Sequence, residues 1–172
     1  MTKAFFLDRD GVVNRDPDPA PYVLTWDQWA WMPGIFDLLE EIRKQQFLPI
    51  LVTSQKGVGK GLMSAADLDG IHDRMQRELG RLRFEAIYAF TGLGDCPWEG
   101  KPSPQMLECA AKRYDLSLEQ SWLLGDADRD IAMGRAAGVG MLVRLAGAKP
   151  VGERGDFLAH DLAEVLERMK RG

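Results

Sequence analysis

The chain has 172 residues, 45% of them hydrophobic, with 26 acidic against 22 basic side chains and a formal charge of −4. That is enough for one continuous core, and the acidic balance argues against a broad nucleic-acid or anionic-membrane footprint. Cys96 and Cys109 stand outside any C-x-x-C or Cys/His cluster, which excludes a disulfide framework and a structural zinc site. Met1–Phe6 lacks the pattern of a signal peptide, and no run of about 18 apolar residues occurs, so a single soluble cytoplasmic domain over residues 1–172 is expected.

Ala4–Leu7 is a short apolar run that stops at Asp8-Arg9-Asp10-Gly11, which predicts a buried strand entering a loop. From Asn14 to Pro33 the prolines Pro17, Pro19, Pro21 and Pro33 limit helix, while Tyr22, Trp26, Trp29 and Trp31 supply bulk, so a packed flap is expected. Ile35, Phe36, Leu39 and Ile42 have helical spacing, and Phe47–Val52 is a strand ending at Thr53-Ser54-Gln55. Ser64 and Asp67 form a capping-box variant ahead of the apolar stripe Leu68, Ile71, Met75, Leu79, Leu82. Phe84–Phe90 is the next strand candidate, followed by a glycine-rich loop to Lys101.

Ser103 and Pro104 read as N-cap and first position of a helix carrying Leu107, Ala110, Ala111 and Tyr114 inward. Trp122–Leu124 is a strand broken by Gly125-Asp126, Ile131–Ala136 a small-residue helix, and Met141–Val143 another strand. Asp161 and Glu164 open a last helix through Arg168. Alternating strand and helix predict a three-layer α/β fold with a parallel Rossmann-like sheet, and such folds bind ligands beyond the carboxyl ends of their strands. Asp8, Thr53, Lys101 and Asp126 all fall there.

Asp8 and Asp10, two apart on extended backbone, leave the chain on one side. Close carboxylates repel unless a hard divalent cation shares them, which suits Mg²⁺, although the pair alone reads equally well as a solvated turn. Asp126 offers a further carboxylate after a strand. Asp128 is read as a helix N-cap and Asp130 as a first-turn acid favoured by the helix dipole. The Thr53 hydroxyl and the Lys101 ammonium complement a phosphate dianion.

In order and wording, Phe6–Asn14, Val52–Gln55, Lys101–Pro104 and Leu124–Asp126 resemble the four motifs of the haloacid dehalogenase superfamily, over residues 4 to 145. Within it the chain is most similar to the heptose bisphosphate and histidinol phosphatase group, with Ser54 in place of that group's asparagine. The resemblance implies a phosphatase with Asp8 as nucleophile, Asp10 as general acid and base, and Mg²⁺ held by Asp8, the Asp10 carbonyl and Asp126. It further implies phosphate binding by Thr53, the Ser54 N–H and Lys101, with Asn14 and Gln55 orienting substrate or loop.

A small phosphorylated metabolite such as a heptose bisphosphate is the implied substrate, in carbohydrate metabolism; histidinol phosphate and a nucleic-acid 3′-phosphate are alternatives, the latter disfavoured by the charge. Two departures stand out. The segment Gly92–Gly100 has only Cys96 where the group carries a zinc loop, and Gly100 replaces an arginine before the motif lysine. Short intervals between motifs leave no room for a large cap domain, so the expectation is an open site gated by the Trp-rich flap at 22–33 or by a partner subunit of a homo-oligomer.

Three other features are weighed and set aside. Gly57–Gly61 fails as a P-loop at both ends and reads as a flexible substrate loop. His72 and His160 read as surface residues. A phospho-accepting signalling receiver is the reading of another class, and motif order argues against it.

Overall fold

A computed structural model describes residues 1–17 and 20–172; Pro19, one of the prolines expected to limit helix, lies outside them. Six strands, β1 (Ala4–Leu7), β2 (Leu48–Ser54), β3 (Ala86–Phe90), β4 (Trp122–Gly125), β5 (Met141–Leu145) and β6 (Phe157–Ala159), form one sheet in the order β3-β2-β1-β4-β5-β6. Every pairing is parallel, with Leu7 opposite Leu51 on one side and Leu124 on the other.

β1 shows why a central parallel strand is apolar throughout: Phe5 and Leu7 enter the core on one face, Ala4 and Phe6 the core on the other. The first face is covered by α1 (Ile35–Lys44), α3 (Ala65–Leu79) and α6 (Leu162–Arg171), the second by α4 (Gln105–Tyr114) and α5 (Asp128–Ala137). Right-handed crossovers require this split, because the chain moves one way from β1 to β3 and the other from β4 to β6. Helices therefore leave β1 and β4 towards opposite faces, opening a crevice between the carboxyl ends of these neighbours.

Phe5 is fully buried, stacked on Trp122 at 5.7 Å and edge-on to Phe47 at 5.9 Å. Phe5→Ala should cost roughly 3–5 kcal/mol of stability, the usual range for a truncated core aromatic. Urea unfolding of the two proteins side by side measures it, and a cost under about 1 kcal/mol would contradict the packing described.

Several local expectations need correction. The Ser64–Asp67 capping box is present, with reciprocal 3.0 Å bonds. At α4, however, Pro104 takes the N-cap and Ser103 instead accepts from Gln105 N at 3.3 Å. Residues 56–59 form a single helical turn, α2 (Lys56–Gly59), in place of the expected flexible loop, and a Cβ on Gly59 would lie 2.6 Å from the Thr91 carbonyl oxygen. The last helix runs on to Arg171. β6 was not expected at all: three residues after a charged, glycine-rich stretch carry no periodic signal, and pairing with β5 creates the strand. Among the described residues, a flap with one 3₁₀ turn at Trp26–Gln28 stands between β1 and α1, and the segment after β2 holds α2, α3 and a further 3₁₀ turn, with no separate cap domain. None of the described helices is long and apolar enough to cross a membrane.

Candidate active site

Asp8 leaves the end of β1, where its N–H donates to the Leu124 carbonyl of β4 at 3.1 Å. Asp126 follows β4, and Asp130 stands in the first turn of α5. Carboxylate oxygens from these three side chains lie within 4.8 Å of one another. Gly11 shapes the floor: its φ is +88°, and a Cβ there would lie 2.0 Å from Asp126 Oδ2. A side chain at residue 11 would therefore evict the Asp126 carboxylate as well as strain the turn.

Lys101, buried, donates to Asp8 Oδ1 at 2.9 Å and lies 2.5 Å from Asp130 Oδ1. The latter approach is an ion pair off the hydrogen-bond direction, so Asp130 Oδ1 retains an unfilled acceptor. Burial, and then Asp130 and Asp126, push the Asp8 carboxyl well above its usual range against the pull of Lys101. Burial opposes the charge of Lys101, but Asp130 and Asp8 outweigh it and raise its pKa. Three carboxylates share one buried lysine and the exposed-side Lys149, whose Nζ lies 3.2 and 3.1 Å from the two oxygens of Asp126. A hard divalent cation fits this all-oxygen, electron-rich cradle.

Asp10 is held apart from that cluster. Its Oδ1 accepts from Arg9 Nη2 at 2.9 Å and Asn14 Nδ2 at 2.9 Å, and its Oδ2 accepts from Gln55 Nε2 at 2.9 Å. Burial alone would raise its pKa, but the Arg9 charge and the Asn14 and Gln55 bonds lower it on balance. Arg9 is itself fully buried, 3.0 Å from His72 Nε2 and 5.5 Å from the Trp29 ring centroid.

His72 is thus no surface residue: it is buried, and burial together with Arg9 lowers its pKa to about 3, so the ring is neutral. A signal was available. His72 stands four residues after Leu68 and three before Met75, on the apolar stripe of α3. His160, by contrast, is exposed and 3.2 Å from Glu164.

Thr53 is buried at the end of β2, where its hydroxyl accepts from Gln55 Nε2 at 2.9 Å, and the Ser54 hydroxyl is buried without a partner. Asn14 and Gln55 therefore direct their amides at Asp10. Asp128 is not an N-cap: that position is Ala127, whose N–H donates to Asp130 Oδ2 at 3.1 Å. Asp128 Oδ1 instead pairs with the buried Arg144 at 2.5 Å and accepts from the N–H groups of Gly152 and Glu153. Asp130 combines the expected first-turn position with contact to Lys101. The flap rests on α2 through Tyr22, whose hydroxyl accepts from Lys60 Nζ at 2.8 Å and whose ring lies against Gly57.

Residues 98–165 match the family model described as HAD-hydrolase-like. The D-glycero-beta-D-manno-heptose-1,7-bisphosphate 7-phosphatase of Bordetella bronchiseptica is 33% identical over 179 residues, 97% of each chain. The chain belongs to the heptose-bisphosphate phosphatase family of haloacid dehalogenase-like hydrolases. The Haemophilus influenzae member is 31% identical over 99% of this chain and 100% of its own.

The crystal structure of the family's B. bronchiseptica D,D-heptose 1,7-bisphosphate phosphatase, complexed with magnesium and phosphate, superposes at a TM-score of 0.80 with 31% identity over 99% of both chains. A putative HAD-like phosphatase from Mesorhizobium loti shares the fold at a TM-score of 0.82 and 24% identity, over 99% of this chain and 87% of its own. Family membership makes the chain a phosphatase, and the receiver reading gives way.

Proposed function

We propose that the chain is a Mg²⁺-dependent phosphomonoesterase that works through an aspartyl-phosphate on Asp8, on a small phosphorylated sugar of the heptose 1,7-bisphosphate class. The observation that carries this is the gathering of the Asp8, Asp126 and Asp130 carboxylates, with Lys101 bridging Asp8 and Asp130 and Asp10 held separately by Arg9, Asn14 and Gln55. Likeness over nearly full length to phosphatases named for heptose 1,7-bisphosphate supports the substrate class.

A carboxylate oxygen of Asp8 attacks phosphorus in line, forming the acyl-phosphate bond as the ester P–O bond breaks. The leaving oxygen takes its proton from Asp10. Arg9 keeps Asp10 ionised beforehand, and the approaching phosphate, a like charge, favours the protonated form that the first step needs. In the second step Asp10 takes a proton from water, which attacks phosphorus and releases Asp8 and inorganic phosphate. Lys101, the Thr53 hydroxyl and the Ser54 N–H hold the non-bridging oxygens. Asp8, the Asp10 carbonyl and Asp126, with Asp130 beside them, would hold a Mg²⁺, which would supply neutralisation of charge on the transferring group. The flap gates the site.

Phosphate release should stop in EDTA and return with added Mg²⁺; undiminished release in EDTA would contradict the metal assignment. A purified-protein panel of heptose 1,7-bisphosphate, histidinol phosphate, nucleotides and 3′-phosphorylated oligonucleotides should give the highest kcat/KM for the heptose. Preference for any other member would overturn the substrate class while leaving the chemistry standing.

A further inference from the structure

Lys149 has no part in the reaction above, yet it occupies a conspicuous place. Its Nζ bridges both oxygens of Asp126, a buried carboxylate, at 3.1 and 3.2 Å, while its own side chain is 40% exposed. Most ion pairs involving an exposed lysine contribute little. This one differs because its partner is buried beside two further carboxylates, Asp8 and Asp130, and a buried carboxylate without a cation is costly. Asp16 adds to the demand: it faces the same glycine as Asp126, with its Oδ2 3.2 Å from where a Gly11 Cβ would stand.

The loop behind Lys149 is anchored. Buried Arg144 donates to the carbonyls of Pro150 and Glu153 at 3.1 Å each and pairs with Asp128, which in turn accepts from Gly152 and Glu153 N–H groups. The backbone next to Lys149 is thereby fixed, whereas its four-carbon stem is free to swing. Room for that swing exists: a cavity of about 420 Å³ opens beside Asp126, lined by Arg15, Asp16, Ala148 and His160 among others.

We propose that Lys149 is a tethered counter-ion that holds the divalent cation's place on Asp126 and is displaced when the metal binds. The proposal rests on the reading of Asp8 and Asp126 as metal ligands. A single ammonium satisfies Asp126 in the ion-free protein, so the fold does not carry an uncompensated carboxylate there. Metal entry must break this pair, which weakens metal affinity relative to the bare carboxylates. Loading then frees a positive charge at the mouth of the site, next to the cavity.

Calorimetric titration of the metal-stripped full chain with MgCl₂ tests this. Lys149→Met should bind Mg²⁺ about 5- to 150-fold more tightly than wild type, the usual span for two ligands coupled at a site. The variant should also melt at lower temperature in EDTA, a gap that closes at saturating Mg²⁺. Equal or weaker affinity in Lys149→Met, with wild type binding Mg²⁺, overturns the displacement while leaving the Mg²⁺ reading intact. Failure of wild type and variant alike to bind Mg²⁺ at millimolar concentration overturns both. Wild type alone supplies an independent check that no folding defect can confuse: reductive methylation of Lys149, read by peptide mass spectrometry, should accelerate several-fold when Mg²⁺ is added. An unchanged rate, alongside calorimetric Mg²⁺ binding, would equally overturn the proposal.

Discussion

Asp8→Asn should yield a folded protein with no measurable phosphate release, a loss on the order of 10⁴-fold or more, as expected when a covalent nucleophile is removed. The amide is nearly isosteric and still accepts from Lys101, so the site loses its nucleophile with little change in shape. Stability should not fall with activity. Burial and the neighbouring Asp130 and Asp126 disfavour charge on Asp8, and a neutral amide relieves that repulsion in the metal-free state. A melting temperature in EDTA at or above wild type, paired with absent turnover, is the expected joint result. Turnover within tenfold of wild type in a purified variant would refute the nucleophile assignment.

Asp10→Asn should lower kcat by about 10²–10⁴-fold, the scale of general acid–base catalysis. Asparagine keeps one carbonyl oxygen for the Arg9 and Asn14 donors, and its NH₂ replaces the oxygen that accepts from Gln55, whose side-chain amide can turn to present its own oxygen, so the loss reports proton transfer more than position. The effect should lessen with a substrate whose leaving group is a good one, such as para-nitrophenyl phosphate, because its departing oxygen needs little protonation. The dephosphorylation step would still be slow, and phosphoenzyme should accumulate. A loss below tenfold on a sugar phosphate would count against Asp10 as the proton carrier.

Much of this fold is legible in local sequence because a buried parallel strand writes itself as an unbroken apolar run. Ala4–Leu7 and Trp122–Leu124 could be placed for that reason, and their polar successors Asp8 and Asp126 marked the rim. The convergence of those two residues followed from topology: neighbouring strands at the point where the helices change sides. Where the signal was short or borrowed, reading failed. β6 is three residues long and exists through pairing with β5. The single helical turn at Lys56–Gly59 is glycine-rich, and its position is fixed by tertiary contact with Thr91 and Tyr22.

Polar residues that act through other residues were the hardest to see. Arg9 lies between the two motif aspartates and carries no role legible in the sequence, yet it is a fully buried cation whose partners, Asp10, His72 and Trp29, come from three parts of the chain. Asp130 looked like a helix-terminus acid because it is one, and its second contact, to Lys101, spans 29 positions of sequence. Asp128 looked like a cap, while Arg144, on the neighbouring strand, recruits it to anchor the Lys149 loop. In each case residue type announced a polar role, and only the pairing of distant segments decided which one.

The route of the phosphoryl group through Asp8 is tested most directly by rapid chemical quench during turnover of a sugar phosphate with Mg²⁺. Borohydride reduction of the quenched protein and peptide mass spectrometry then locate any acyl phosphate. Conversion of Asp8 to homoserine, dependent on substrate and absent from Asp8→Asn, is the expected result. Active enzyme that yields no reduced carboxylate, or one reduced elsewhere than Asp8, would contradict the mechanism.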